Sequence, residues 1–350
     1  MKVVHIESGL GNQMLSYCEL LALKCVQPND DYYLETLVYD FPEASNVINQ
    51  WQGYELDRVF GITVPNIREL FNENEWNSII EDIRKSEFWN KNWNWPIFFS
   101  EAFKRQGIEL HNLRGNFDVI ALNNEKTIKG KLRKKPIYQQ FQKTWLYSNI
   151  RTWSQKKKDY TENDLSYLFY SGTEDVLTGQ KLSFMYRNND IERIDPEIRK
   201  AFRFPDIKDQ KNLDFLKKIN NCESVAIHAR RGDLLNLNGR YYKGGYFKRA
   251  VNFIKSKVKD PIFCFFCDPG SAAWCRQNEK TFGLNFSTDK IIFVDWNKGD
   301  ESYRDMQLMS YCKHNIITIS SFGWWGAYLN TNLNKITISP EIKINTTHHF

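Results

Sequence analysis

In the second half of the chain, short apolar runs alternate with longer stretches of helical spacing. Runs at 225–228, 262–267, 291–294, 315–319 and 335–338 predict strands. The stretches at 246–257, 272–282 and 303–313, and one beginning at Ser321, predict helices. Strands and helices of these lengths in alternation predict a parallel, doubly wound α/β sheet. Right-handed crossovers bring the carboxyl end of every strand to one edge, where such sheets bind ligands. The chain opens in the same way, with Val3-Val4-His5-Ile6 as a strand and 14–23 as an amphipathic helix. Residues 28–215 carry no comparable pattern. There, Asp195-Pro196 reads as a helix start, with Asp at the N-cap and Pro at the first helical position, and Phe204-Pro205-Asp206 as that helix's end. The change of pattern divides the chain into domains of 1–215 and 216–350.

Three polar clusters fall at the predicted strand ends: His228-Ala229-Arg230-Arg231-Gly232-Asp233, Asp268, and Ser320-Ser321. Adjacent arginines suit a diphosphate, because each guanidinium is a planar fork of donors that stays charged. Ser320 or Ser321 would cap the next helix, and free N–H groups there would also hold phosphate oxygens. Gly9 and Gly11 stand between the first strand and helix, where glycine lets the backbone approach a ligand. Met14 takes the place of the third glycine of GxGxxG, which disfavours a dinucleotide site. His5 and Glu7 flank this turn and read as structural strand residues.

Composition narrows the classes. At 350 residues the chain is long enough for two domains, and a hydrophobic share of 41% is ordinary for a globular protein and gives no indication of disorder. Forty-eight Lys and Arg against 42 Asp and Glu leave a net charge of +6, which suits an anionic small molecule or nucleic acid. The basic residues are dispersed among acidic ones, which argues against nucleic acid. One basic run, from Lys126 to Lys135, reads as a solvated loop. Phe88-Trp89 and Trp93-Asn94-Trp95-Pro96 read as core packing, with sugar stacking as the alternative. Seven scattered cysteines do not form a disulfide framework. Cys264 and Cys267 lie three apart on a predicted strand, so their thiols point to opposite faces and read as core cysteines. No apolar stretch approaches the roughly 20 residues of a spanning helix, and the opening strand leaves no room for a signal peptide. The expected location is the cytoplasm, with a peripheral place at a membrane surface left open.

Four motifs together resemble a known family, the α-1,2-fucosyltransferases of glycosyltransferase family 11. They are Gly9-Leu10-Gly11-Asn12-Gln13-Met14, the His228–Asp233 element, Asp305-Met306-Gln307-Leu308-Met309-Ser310 with Cys312-Lys313-His314, and the stretch from Ser320 to Asn330. The His228–Asp233 element is shared with other fucosyltransferases, so the combination carries the specificity. The resemblance implies a GT-B fold, two Rossmann-like domains facing across a cleft. It implies a GDP-β-L-fucose donor in the C-terminal domain, a galactose-containing acceptor glycan on the N-terminal side, inversion at the anomeric carbon and no metal or cofactor. No Asp-x-Asp occurs in the sequence, in agreement with metal independence.

Carried over residue by residue, the resemblance implies a catalytic set of Arg230, Asn12 and His228. Arg230 would bind the β-phosphate, His228 would shape that pocket, and Asn12 would lie near the fucose and the acceptor. The donor-binding set adds Arg231, Asp233, Asp268, Ser320, Ser321, Phe322, Gly9 and Gly11. Within it Asp233 would orient the loop, Asp268 would contact guanosine, and Ser320, Ser321 and Phe322 would line the pyrophosphate. No residue is assigned as the general base. The sequence departs from the family pattern at Gly179-Gln180-Lys181-Leu182-Ser183, at Ile319, and at Gly323, where the family carries a third serine. A transferase using another nucleotide sugar or linkage, and a non-catalytic glycan- or nucleic-acid-binding protein, stand as alternatives.

Overall fold

The computed structural model describes residues 1–46, 50–90, 95–111, 135–142, 144, 146, 175–177, 190–232 and 235–340. Asp233, Trp93 and Asn94, the basic run up to residue 134, and the segment 179–183 lie outside the described residues. The chain divides into two compact units, Met1–Lys200 and Ala201–Phe350, and each is α/β with a parallel sheet of its own.

In the first unit, β1 (Lys2–His5) lies between β2 (Tyr32–Glu35) and β3 (Val176–Leu177), all parallel. The helix Leu10–Val26 is the crossover from β1 to β2. It starts four residues before the predicted Met14, so Gly11, Asn12 and Gln13 belong to its first turn rather than to a loop. Val3, Phe41, Ile79, Ile83, Phe99 and Phe103 form the core with the helices Glu73–Ser86 and Trp95–Arg105. Asn72 and Glu75 close a reciprocal capping box on the first of these helices. Phe88 is buried edge-to-face against Phe41, so at this point the aromatic run is core.

One predicted boundary is corrected. Pro196 lies inside the helix Asp190–Ala201, not at its start. Asp195 bonds Arg199 one turn on, at 2.8 Å, instead of capping. Burial of Ile194 and Ile198 on one face holds the helix together across the proline, so packing overrides the local capping signal.

The second unit contains five parallel strands in the order β6-β5-β4-β7-β8. These are β4 (Ser224–Ala229), β5 (Ile262–Cys267), β6 (Lys290–Val294), β7 (His314–Ile316) and β8 (Thr337–Ile338). The division at Lys200/Ala201 precedes the one expected at residue 215 because residues 202–215 pack within this unit. Phe202 meets Trp325 edge-on at 5.1 Å, Arg304 and Gln307 both donate to the Pro205 carbonyl, and Phe215 packs on Phe266. Alternation along β5 sends Phe263 and Phe265 into the cluster around Phe247 and Phe282, while Phe266 faces Phe215 on the other side. The two β5 cysteines diverge as expected, and Cys267 Sγ lies 3.7 Å from Cys275 Sγ. The helix expected at 272–282 is two, Ser271–Gln277 and Glu279–Phe282, broken at Asn278.

Candidate active site

Strand order places the site. From β4 the chain proceeds outward to β5 and β6, then returns to β7 on β4's other side and continues to β8. The connections therefore leave β4 and β7 in opposite directions, and a crevice opens at the carboxyl ends of these two neighbours. His228, Arg230 and Arg231 stand at the end of β4, and Ser320, Ser321 and Phe322 follow β7. The fold thus brings together residues some ninety positions apart, and Thr318 Oγ1 bridges the two strands by donating to the His228 carbonyl at 3.4 Å.

His228 is 4% exposed, its ring stacks on Phe322 at 6.0 Å, and its Nδ1 has no partner. Burial first and the Arg230 charge second push its pKa down to about 3, so the imidazole is neutral at physiological pH. Gly323 makes room for it, since a Cβ there would come within 2.3 Å of Nδ1. The departure from the family's serine therefore has a physical consequence in this chain: the ring occupies the space a side chain would take.

The loop after β4 is held from β5. Asp268 accepts from Arg231 N at 2.7 Å, Gly232 N at 2.6 Å and Ser271 Oγ at 2.9 Å. Gly232 permits the approach, because a Cβ would meet Asp268 Oδ2 at 2.5 Å. The Arg231 guanidinium lies 3.4 Å above the Trp274 ring centroid and 5.4 Å from that of Tyr242. The two arginines thus have different surroundings: Arg231 is anchored on aromatics, and Arg230 is half-buried beside neutral His228. The guanosine contact expected of Asp268 would have to share oxygens already engaged by the loop.

Ser320 occupies the N-cap of Ser321–Tyr328 with extended backbone, but its hydroxyl makes no capping bond. The helix is anchored by its buried face instead, with Trp325 fully buried and Gly326 against Met309. In the neighbouring helix Tyr303–Tyr311, burial, opposed by a hydrogen bond from Asn297, raises the Asp305 carboxyl to about 7. Sequence reasoning missed Ser271, Trp274 and Tyr242. Trp274 sits six residues beyond Asp268, but only the fold lays it under Arg231.

Gly9, Gly11 and Asn12 belong to the first unit, at the carboxyl end of β1. Ser8 there has φ +65, and its carbonyl accepts from Gln13 Nε2 at 2.9 Å and Tyr39 OH at 2.6 Å. Gly9 is the helix N-cap and Asn12 is exposed. Buried His5 bonds Glu35 through Nδ1 and Glu7 through Nε2. Burial lowers the His5 pKa, but Glu35 and Glu7 outweigh it and raise it to about 9. His5 and Glu7 are structural in this sense: they form a charged brace behind the turn. Among the described residues, no group of three or more His, Cys, Asp or Glu has a metal-holding arrangement.

A family model described as Glycosyl transferase family 11 matches residues 126–347, a span that includes every part of the β4–β7 crevice. The chain belongs to glycosyl transferase family 11. Among curated relatives of this family 11 member, Galactoside alpha-(1,2)-fucosyltransferase 2 of Rattus norvegicus is 30% identical over 144 residues, which is 38% of this chain and 39% of the relative. Galactoside 2-alpha-L-fucosyltransferase SEC1 of Bos taurus is 32% identical over 110 residues, covering 30% and 28%. O-antigen biosynthesis glycosyltransferase WbnK of Escherichia coli is 32% identical over 137 residues, covering 37% and 43%. The match therefore spans less than half the length of each of these three relatives. In the family 11 chain the crevice residues fall within the matched span, whereas Gly9, Gly11 and Asn12 precede it.

Proposed function

We propose that this family 11 member transfers L-fucose from GDP-β-L-fucose to the 2-hydroxyl of a galactoside, with inversion and without a metal. The observation that carries the reading is the switch-point crevice, where Arg230 stands beside a neutral His228 and the start of Ser321–Tyr328. The acceptor hydroxyl oxygen attacks the anomeric carbon as the bond to the β-phosphate breaks, GDP departs with the bonding electrons, and the hydroxyl proton passes to the departing phosphate or to solvent. Positive charge develops on the sugar and negative charge on the diphosphate. Arg230 stabilises that leaving group, and a fixed donor that tightens on developing charge lowers the barrier. Neutral His228 adds no charge of its own, and its ring, packed between Gly323 and Phe322, shapes the wall beside Arg230. Asp268, Ser271 and Trp274 hold the loop from which Arg230 projects.

We further read the chain as GT-B, two Rossmann-like domains facing across a cleft, supported by its division into two units that each carry a parallel sheet. Polysaccharide repeat units are included in the acceptor class because the Escherichia coli relative is named for O-antigen biosynthesis. The test is incubation with GDP-fucose and EDTA in the presence of lactose-type and lacto-N-biose-type acceptors, with linkage analysis of products. Transfer to the galactose 2-hydroxyl is expected in EDTA. Another linkage, no transfer, or transfer only with added metal would overturn the corresponding part.

A further inference from the structure

The loop from Gln50 to Glu55 in the first unit has features that neither its own stability nor the donor site explains. Gly53 N donates to the Gln50 carbonyl at 2.8 Å, closing a turn with Trp51 inside it. Trp51 has φ +48, a left-handed conformation that a bulky side chain adopts only under constraint. The constraint is visible. Buried Gln13 donates to the Gly53 carbonyl at 2.8 Å and accepts from Glu55 N at 2.8 Å. Gln50 donates to the Val38 and Phe41 carbonyls, each at 2.7 Å. The result is an indole laid over Gly9, so close that a Cβ there would meet Trp51 Cδ1 at 2.7 Å. The ring nevertheless remains 37% exposed.

Gly9's space is therefore filled by this indole, and the strain at Trp51 is retained to keep a large, partly bare aromatic surface at the carboxyl end of β1. That edge of a parallel sheet is where ligands bind, and strained residues held by their surroundings concentrate at functional sites. A galactopyranoside has one apolar face of C–H groups that stacks on an indole, while its hydroxyls seek polar partners such as exposed Asn12, on the helix that Gly9 caps. We propose that Trp51 is the platform on which the acceptor's galactoside ring stacks, an assignment that rests on the transferase reading above.

The test compares wild type, Trp51→Phe and Trp51→Gly for transfer from saturating GDP-fucose to phenyl β-D-galactoside and to lactose. Glycine suits the left-handed backbone, so Trp51→Gly removes the ring without forcing the turn to rearrange. The expected result is an acceptor KM raised about tenfold or more in Trp51→Gly, by the loss of a stacked aromatic. Trp51→Phe should fall between the two, while the affinity for GDP and the melting temperature hold. Wild-type transfer with an unchanged acceptor KM in Trp51→Gly would overturn the assignment of Trp51 alone. A parallel loss of GDP affinity would overturn it too, since the ring would then act through the fold. Wild-type protein that transfers to neither galactoside would overturn the underlying reading instead.

Discussion

At the scale of single residues, the two arginines after β4 are separated by their neighbours rather than by their chemistry. Arg231 is stacked on Trp274, whereas Arg230 lies beside a neutral imidazole. Arg230→Ala should therefore lower kcat by about a hundredfold or more, the cost of one preorganised donor to developing charge. Its melting temperature should stay near wild type, and steady-state kinetics with thermal melting check both. Gly323→Ser restores the family residue but drives a side chain into the His228 ring. It should cost about 1–3 kcal/mol of stability, the typical penalty of overpacking. His228→Ala should relieve most of that cost in a denaturation double-mutant cycle, whereas additive effects would deny the contact. His5 makes a prediction of opposite origin. Its folded pKa of about 9 exceeds the ordinary histidine value of 6.5, so its stabilisation is complete below about 6.5 and is lost as pH rises through 9. Melting temperature measured from pH 6 to 10 should fall over that window, and His5→Gln should flatten the fall.

At the scale of elements, the crevice is built by the order of strands and braced from one side. β5 supplies Asp268 at its carboxyl end, and the helix Ser271–Gln277 that follows supplies Ser271 and Trp274. Asp268→Ala removes the acceptor of two backbone N–H groups and should lower kcat/KM by about tenfold to a hundredfold, the effect of losing one charged hydrogen bond worth roughly 1.5–3 kcal/mol. Trp274→Phe should retain more activity than Trp274→Ala, because a smaller ring still supports the Arg231 guanidinium. Equal activities in the two Trp274 variants would remove this brace from the account. The alternation that built β4 to β8 was legible in apolar runs of four to six residues. In the first unit only β1 and the helix after it were legible, because β3 is two residues long and lies far along the chain from β1, the strand it pairs with. Pro196 misled for a related reason: a capping signal is local, and the burial of Ile194 and Ile198 that overrides it is not.

At the scale of the molecule, each unit has its own core and its own parallel sheet. A fragment comprising residues 201–350 is therefore expected to unfold cooperatively and to bind GDP while transferring no fucose. Calorimetry with GDP checks this, and a fragment that folds but does not bind would move part of the donor site into the first unit. By itself the sequence determined the α/β class, the ligand edge of the second sheet, and the residues His228, Arg230, Ser320 and Ser321 at that edge. Period, turn chemistry and motif are properties of neighbouring residues, so they are written along the chain. Tertiary structure alone decided that Asp268 clamps the β4 loop, that Gly323 yields its space to His228, and that Trp51 is held in strain over Gly9. Each of these depends on two backbones brought within a side chain's reach from distant positions, a distance that no local pattern encodes.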